Sequence, residues 1–233
     1  MNIQTLASGS SGNCYKIDDG KTGILLECGI PLSKIKQKLN FNMNIDACLI
    51  THEHKDHARA VKDLMKAGID CYMTTGTAEV LKLSGHRLHR ICQSQHFTVG
   101  SFEVLSFETI HDAAEPCGFV LHSRETRENL LFVTDSMYVK YQFEARFDYI
   151  LTECNFVEEI LEKNAAEGVI GQSLKSRIRQ SHFGLEAVIR FLQSLNLSRC
   201  KRIYLTHLSD TNSDAALMKR RVQEATGKEV MIC

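Results

Sequence analysis

Thr51-His52-Glu53-His54-Lys55-Asp56-His57 is the stretch whose reading decides the fold. It follows the apolar run Ala47–Thr51, a buried strand by its composition, and precedes a segment from His57 to Ala67 with helical periodicity. Four ligand-type side chains, His52, His54, Asp56 and His57, fall within six positions. Imidazole nitrogen plus carboxylate oxygen is the ligand set preferred by zinc and its neighbours. Alternating residues point one way, so His52 and His54 can share one ion while Asp56 and His57 turn toward a second. A polar surface loop is the bland alternative, and it explains such a density of ligands poorly.

Both ions need further ligands, which should lie downstream. His111 ends a strand, Asp135 ends the strand Leu131-Phe132-Val133-Thr134, and His207 ends the strand Ile203-Tyr204-Leu205-Thr206. Strand ends deliver polar side chains to the rim of a sheet, where sites are usually built. Taken singly, Asp135 reads equally as a turn or N-cap residue, and His111 or His207 as a satisfied, partly buried histidine. Together with the loop they complete two ions sharing a carboxylate.

Outward from the motif, Ile3–Ala7, Cys14–Ile17 and Gly23–Glu27 read as strands separated by a Gly/Ser-rich turn and an Asp-Asp-Gly turn. A helix is expected after Pro31. Strands are expected at His96–Val99, Phe102–Ile110, Gly118–Ser123, Asn129–Thr134 and Tyr149–Thr152, with a short helix at Phe156–Leu161. Residues 163–181 lack an apolar period and read as a long mobile loop carrying Lys175, Arg177 and Arg179. A helix at Leu185–Leu195, a strand at Arg202–Thr206, a helix near Asp214–Glu224 and a strand at Val230 complete the chain. This order predicts an α/β (α+β) fold, a four-layer αββα sandwich, as a single domain over 1–233.

Lysine plus arginine equals aspartate plus glutamate, 28 against 28, so any nucleic acid must be steered by a local basic patch. The nine cysteines form no C-x-x-C pair and sit in or beside apolar stretches, as buried free thiols do. The opening Met-Asn-Ile-Gln-Thr lacks the pattern of a signal peptide, and no apolar run approaches the roughly 20 residues of a membrane span. A cytoplasmic protein with no membrane partner is expected.

The H-x-H-x-D-H motif, followed by His, Asp and His at strand ends, resembles the metallo-β-lactamase superfamily. The resemblance runs over nearly the whole chain and implies a hydrolase with two divalent metal ions, zinc or manganese, with iron also compatible. It implies that His52, His54 and His111 hold one metal, that Asp56, His57 and His207 hold the other, and that Asp135 bridges them. Leu6-Ala7-Ser8-Gly9-Ser10-Ser11-Gly12-Asn13-Cys14, Val133-Thr134-Asp135-Ser136, Thr152-Glu153-Cys154-Asn155 and Thr206-His207-Leu208-Ser209 are similar to the YycJ/WalJ branch. That branch is associated with 5′-to-3′ DNA exonuclease activity. Glu153 and His182 resemble the Glu–His pair that ribonuclease Z-like phosphodiesterases place at the scissile phosphate. A histidine held by a glutamate can supply a proton or a positive charge to the departing oxygen.

The resemblance therefore implies a phosphodiesterase, with a metal-bridging hydroxide as nucleophile, Asp56, Glu153 and His182 as catalytic residues, and nucleic acid as partner, DNA ahead of RNA. Substrate contacts are expected from Ser8, Ser10, Asn13, Lys175, Arg177 and Ser209. Oligomeric state stays open, with a homodimer among the states allowed. Several positions depart from the branch: Glu27 for an aspartate, Met137 for a glycine, Phe156-Val157 for a polar pair, and Phe183-Gly184 for Leu-Ser. The interval from Asp135 to His182 is too short for the extra domain of ribonuclease J-like enzymes. A thioester or lactone hydrolase of the glyoxalase II type, and a metal-carrying module that binds nucleic-acid ends with little turnover, are the competing readings. A true β-lactamase is disfavoured because Asp135 stands where those enzymes carry a thiolate.

Overall fold

The computed structural model describes residues 1–233. The chain forms two compact units: Met1–Glu108 with Ala113–Glu128, and Thr109–Asp112 with Asn129–Cys233. No helix is long and apolar enough to cross a membrane.

The first unit opens with β1 (Asn2–Ala7), β2 (Cys14–Asp18) and β3 (Gly23–Leu26), which pair antiparallel. Their second turn is tight because Asp18 Oδ1 accepts from the Gly20 amide and Asp19 Oδ1 from the Lys21 and Thr22 amides. After α1 (Leu32–Lys38) comes β4 (Ala47–Leu49), then α2 (Lys55–Ala58), α3 (Val61–Lys66), β5 (Asp70–Thr74), α4 (Thr75–Val80) and β6 (Leu88–Ile91). Strands β3 to β6 run parallel, completing a six-stranded sheet in the order β1-β2-β3-β4-β5-β6. Both β3 and β4 are buried along their whole length, as parallel strands covered on both faces must be. Leu25, Cys28, Ile35, Cys48, Leu64 and Cys71 belong to the core around them. The unit also contains β7 (His96–Val99), β8 (Phe102–Glu108) and β9 (Cys117–Ser123), paired antiparallel.

The second unit contains β10 (Asn129–Val133), β11 (Tyr149–Glu153), α5 (Glu158–Ala166), α6 (Gln172–Ser181), α7 (Leu185–Ser194), β12 (Arg202–Thr206), α8 (Ala215–Thr226) and β13 (Glu229–Ile232). Its four strands are all parallel, with Val133 opposite Thr152 and Glu153 opposite Thr206. Parallel strands in this register end together. The residues that leave β10, β11 and β12 therefore reach one edge, the edge where open α/β sheets build sites.

Residues 163–181 are not a loop. Helix α5 continues to Ala166, and α6 occupies Gln172–Ser181. The periodicity was hard to see because α6 presents only Ile178 to the small apolar cluster of Phe156, Leu161, Ala165 and Ile170. Ion pairs supply the rest of its attachment: Lys175 Nζ lies 2.5 Å from Glu162, and Arg179 bridges Glu158 and Glu162. The sequence reading also placed nothing at β5, α4 and β6, which are short elements of four to six residues.

Candidate active site

In the first unit, β4 delivers the metal-type loop. The Thr51 amide donates to Glu27 Oε1 at 3.2 Å, and Thr51 O accepts from the Cys117 amide at 3.0 Å. Beyond this anchor His52 is buried, His54 caps α2, and Asp56 and His57 lie in its first turn. Thr51 Oγ1 stands 2.9 Å from His52 Nδ1, and His52 Nε2 stands 3.0 Å from His54 Nδ1. His57 Nε2 faces Asp56 Oδ2 at 3.3 Å. Two buried backbone bonds, from the Asn13 amide to Asp56 O and from the Cys28 amide to His57 O, hold the loop from behind, each 2.7 Å long.

Glu27 is a functional residue that sequence reasoning registered only as a departure. It is fully buried, in the left-handed conformation (φ 66°), with Oε2 at 3.7 Å from His57 Nδ1. Burial pushes its carboxyl up from the usual range, against the opposing pull of His57 and Thr51. An acidic residue ending an otherwise apolar strand was the available signal.

Gly29 matters for the same loop. A Cβ there would coincide with the Asp56 carbonyl and stand 2.7 Å from the Asn13 amide. Gly29→Ala is therefore expected to cost about 3 kcal/mol in a denaturant melt, by displacing backbone that cannot give way. It should also weaken metal retention, because the segment displaced carries Asp56 and His57. An unchanged melt and metal content would show that the loop is not set by this approach.

In the second unit, Asp135 follows β10, Glu153 ends β11 and His207 follows β12. Asp135 (φ 43°) and His207 (φ 53°) hold left-handed backbone without being glycine. Such strain clusters at functional sites, where the surroundings over-determine it. Asp135 turns one oxygen to each of two histidines: Oδ2 is 3.4 Å from His111 Nε2, and Oδ1 is 3.3 Å from His207 Nδ1. One donor atom from each of Asp135, Glu153, His182 and His207 lies within 4.8 Å of the others.

The protonation of His111 shows what this arrangement suits. Its Nδ1 lies 2.7 Å from Ser181 O, a carbonyl that only accepts, so Nδ1 carries the proton. Burial lowers its pKa despite Asp135 nearby, which favours the neutral ring with its lone pair on Nε2. A lone pair facing a carboxylate oxygen at 3.4 Å repels it unless a cation stands between. Ligand atoms 2.0–2.1 Å from a tetrahedral ion lie about 3.3 Å apart. The His57–Asp56 separation of 3.3 Å in the first unit has the same character. The donor set therefore fits divalent metal.

Glu153 organises the rest of the edge. Its Oε2 accepts from the Ser136 and Phe183 amides, each at 3.1 Å, while Oε1 faces His182 Nδ1 at 2.6 Å and His207 Nδ1 at 3.0 Å. Burial alone would raise the Glu153 pKa and lower that of His182. Their mutual attraction outweighs both, holding Glu153 below and His182 above the ordinary value. Asn155, which the sequence reading quoted in Thr152-Glu153-Cys154-Asn155 without giving it a role, locks the turn at His207 by donating to His207 O at 2.9 Å.

The expected substrate residues are scattered in role. Asn13 is buried and works behind the metal-type loop: Oδ1 accepts from the Gly9 amide, and Nδ2 lies 3.3 Å from His57 Nε2. Ser8 accepts from Tyr15, Ser10 is exposed, and Ser209 accepts from the Asn212 amide. Lys175 is held by Glu162, and Arg177 lies 3.8 Å from Asp112.

The family model described as "Beta-lactamase superfamily domain" matches residues 24–208. The chain belongs to the β-lactamase superfamily. An exodeoxyribonuclease WalJ of Streptococcus pneumoniae is 32% identical over 225 residues, covering 89% of this chain and 81% of that one. An exodeoxyribonuclease YycJ of Bacillus anthracis is 27% identical over 242 residues, covering 96% and 88%. Among solved structures, the metallo-β-lactamase fold protein YhfI of Bacillus subtilis superimposes with a TM-score of 0.77 at 19% identity, over 99% of this chain and 95% of that one. The fold is thus the mixed α/β metallo-β-lactamase fold with two sheets, as the sequence implied. This superfamily member is a metal-dependent hydrolase. Its nine cysteines are all free, and none belongs to the clusters of candidate ligands.

Proposed function

We propose that this superfamily member is a two-metal phosphodiesterase that digests DNA from 5′ ends. Relatives named exodeoxyribonuclease support the substrate class. The single observation that carries the phosphodiester chemistry is the Glu153–His182 contact of 2.6 Å at the edge shared with Asp135 and His207.

His52, His54 and His111 would hold one ion, Asp56, His57 and His207 the other, and Asp135 both. When bound, two divalent ions activate a water and neutralise charge on the phosphate oxygens. The residues of the chain do the remaining work. Ser181 O fixes the tautomer of His111 by accepting from its Nδ1, and Thr51 Oγ1 orients the His52 ring through its Nδ1. Glu27 backs His57 from the interior. With His182 Nδ1 committed to Glu153, its Nε2 is the nitrogen left to hand a proton to the departing oxygen.

The test is digestion of end-labelled single- and double-stranded DNA with added manganese. Release of labelled mononucleotide from the 5′ end at the earliest times is the expected result. Shortening from the 3′ end, or no digestion by protein carrying two metals, would overturn the reading.

A further inference from the structure

The basic residues at 175–179 and at 199–202 are committed to acidic partners in the fold. Lys175 and Arg179 pair with Glu162, and Arg199 and Lys201 converge on Asp148 at 3.0 and 3.7 Å. Arg202 pairs with Glu229 at 2.9 Å, and Arg177 lies near Asp112. Such cations have their charge largely neutralised before any phosphate arrives.

Lys55, Arg59 and Lys62 differ. All three are exposed and make no ion pair or hydrogen bond through their side chains. They line one surface cavity of about 280 Å³, floored by Ala58, Val61 and Leu81. The acid beside them, Glu53, is engaged inward, with Oε1 accepting from the Ala114 amide at 2.8 Å and Oε2 from Thr77 Oγ1 at 3.5 Å. Lys55 stands in sequence between His54 and Asp56, so the charged face begins on the metal-type loop itself. Lys55 opens α2, Arg59 stands at its C-terminal end and Lys62 lies in the first turn of α3, so the three follow one another across the junction of the two short helices.

We infer that Lys55, Arg59 and Lys62 form a track that grips the phosphate backbone of a nucleic-acid strand beside the metal-type loop. The inference rests on the proposed nuclease function and adds to it the surface that holds the polymer. The chain as a whole carries no net charge, so an unneutralised cluster at this place is the local patch a polyanion requires.

The experiment measures binding of a labelled, phosphorothioate-linked 20-nucleotide strand by fluorescence anisotropy across a salt series. Wild type is compared with the triple variant Lys55→Ala/Arg59→Ala/Lys62→Ala and with the charge-conserving Lys55→Arg/Arg59→Lys/Lys62→Arg. Each lost phosphate contact removes about 0.7 from the slope of log affinity against log salt for a single strand. The alanine triple should therefore flatten the slope by about 2 and weaken binding about 10- to 100-fold at low salt. The conserving triple should keep both, and thermal melts check that all three proteins fold. A third triple, Lys34→Ala/Lys38→Ala/Lys163→Ala, removes the same charge elsewhere and should leave the slope in place. An unchanged slope in the first triple, or an equal fall in the third, overturns the track. Failure of wild type to digest DNA in the end-label assay would instead count against the nuclease reading.

Discussion

Asp135→Asn is expected to abolish turnover, lowering kcat by at least about 10³-fold, equivalent to about 4 kcal/mol of barrier. Asparagine has nearly the shape of aspartate and tolerates the left-handed backbone that residue 135 adopts (φ 43°), so the fold should survive. What changes is the charge between His111 and His207, which face the two carboxylate oxygens at 3.4 and 3.3 Å. An amide offers one oxygen and one NH2, and the NH2 cannot ligate a cation. Metal content measured by mass spectrometry should drop, and the rise in melting temperature on adding metal should shrink or vanish. Asp135→Ala would be a poorer test, because alanine also strains the backbone. Retained metal with retained activity would remove Asp135 from the centre.

His182→Ala should slow DNA hydrolysis about 10²- to 10⁴-fold, the usual worth of a positioned general acid. The diagnostic lies in the leaving group. A p-nitrophenolate leaves without needing a proton, so hydrolysis of a bis-p-nitrophenyl phosphodiester should suffer much less than DNA. Glu153→Gln should act in the same direction by about 10- to 100-fold, since it disturbs the partner that orients His182. Glu153 is fully buried and holds the Ser136 and Phe183 amides, so its variant needs a melt beside the kinetics. Equal losses on both substrates would make His182 a structural neighbour rather than a proton donor.

Much of this was legible in the sequence because it is written in short range. The ligand-dense loop at 52–57 needs no partner to be recognised, and Asp135, Glu153 and His207 each terminate a strand of continuous apolar residues. The parallel register then brings those three ends to one edge. What failed depended on long-range partners. Helix α6 was missed because ion pairs with α5, rather than an apolar stripe, hold it in place. The same blindness misassigned the basic residues: the sequence shows where a cation is, and only the fold shows whether an acid has already neutralised it. Glu27 and Asn13 illustrate a third limit. Their burial behind His57 follows from a close approach around Gly29, which no local pattern announces.

The most direct test of the account is a titration of metal-free protein with manganese while hydrolysis of 5′-labelled DNA is followed. Activity should be absent at the start and climb to a plateau at two equivalents per chain, as expected for ligand sets that share Asp135. Digestion at full rate by metal-free protein, or a plateau at one equivalent, would contradict it.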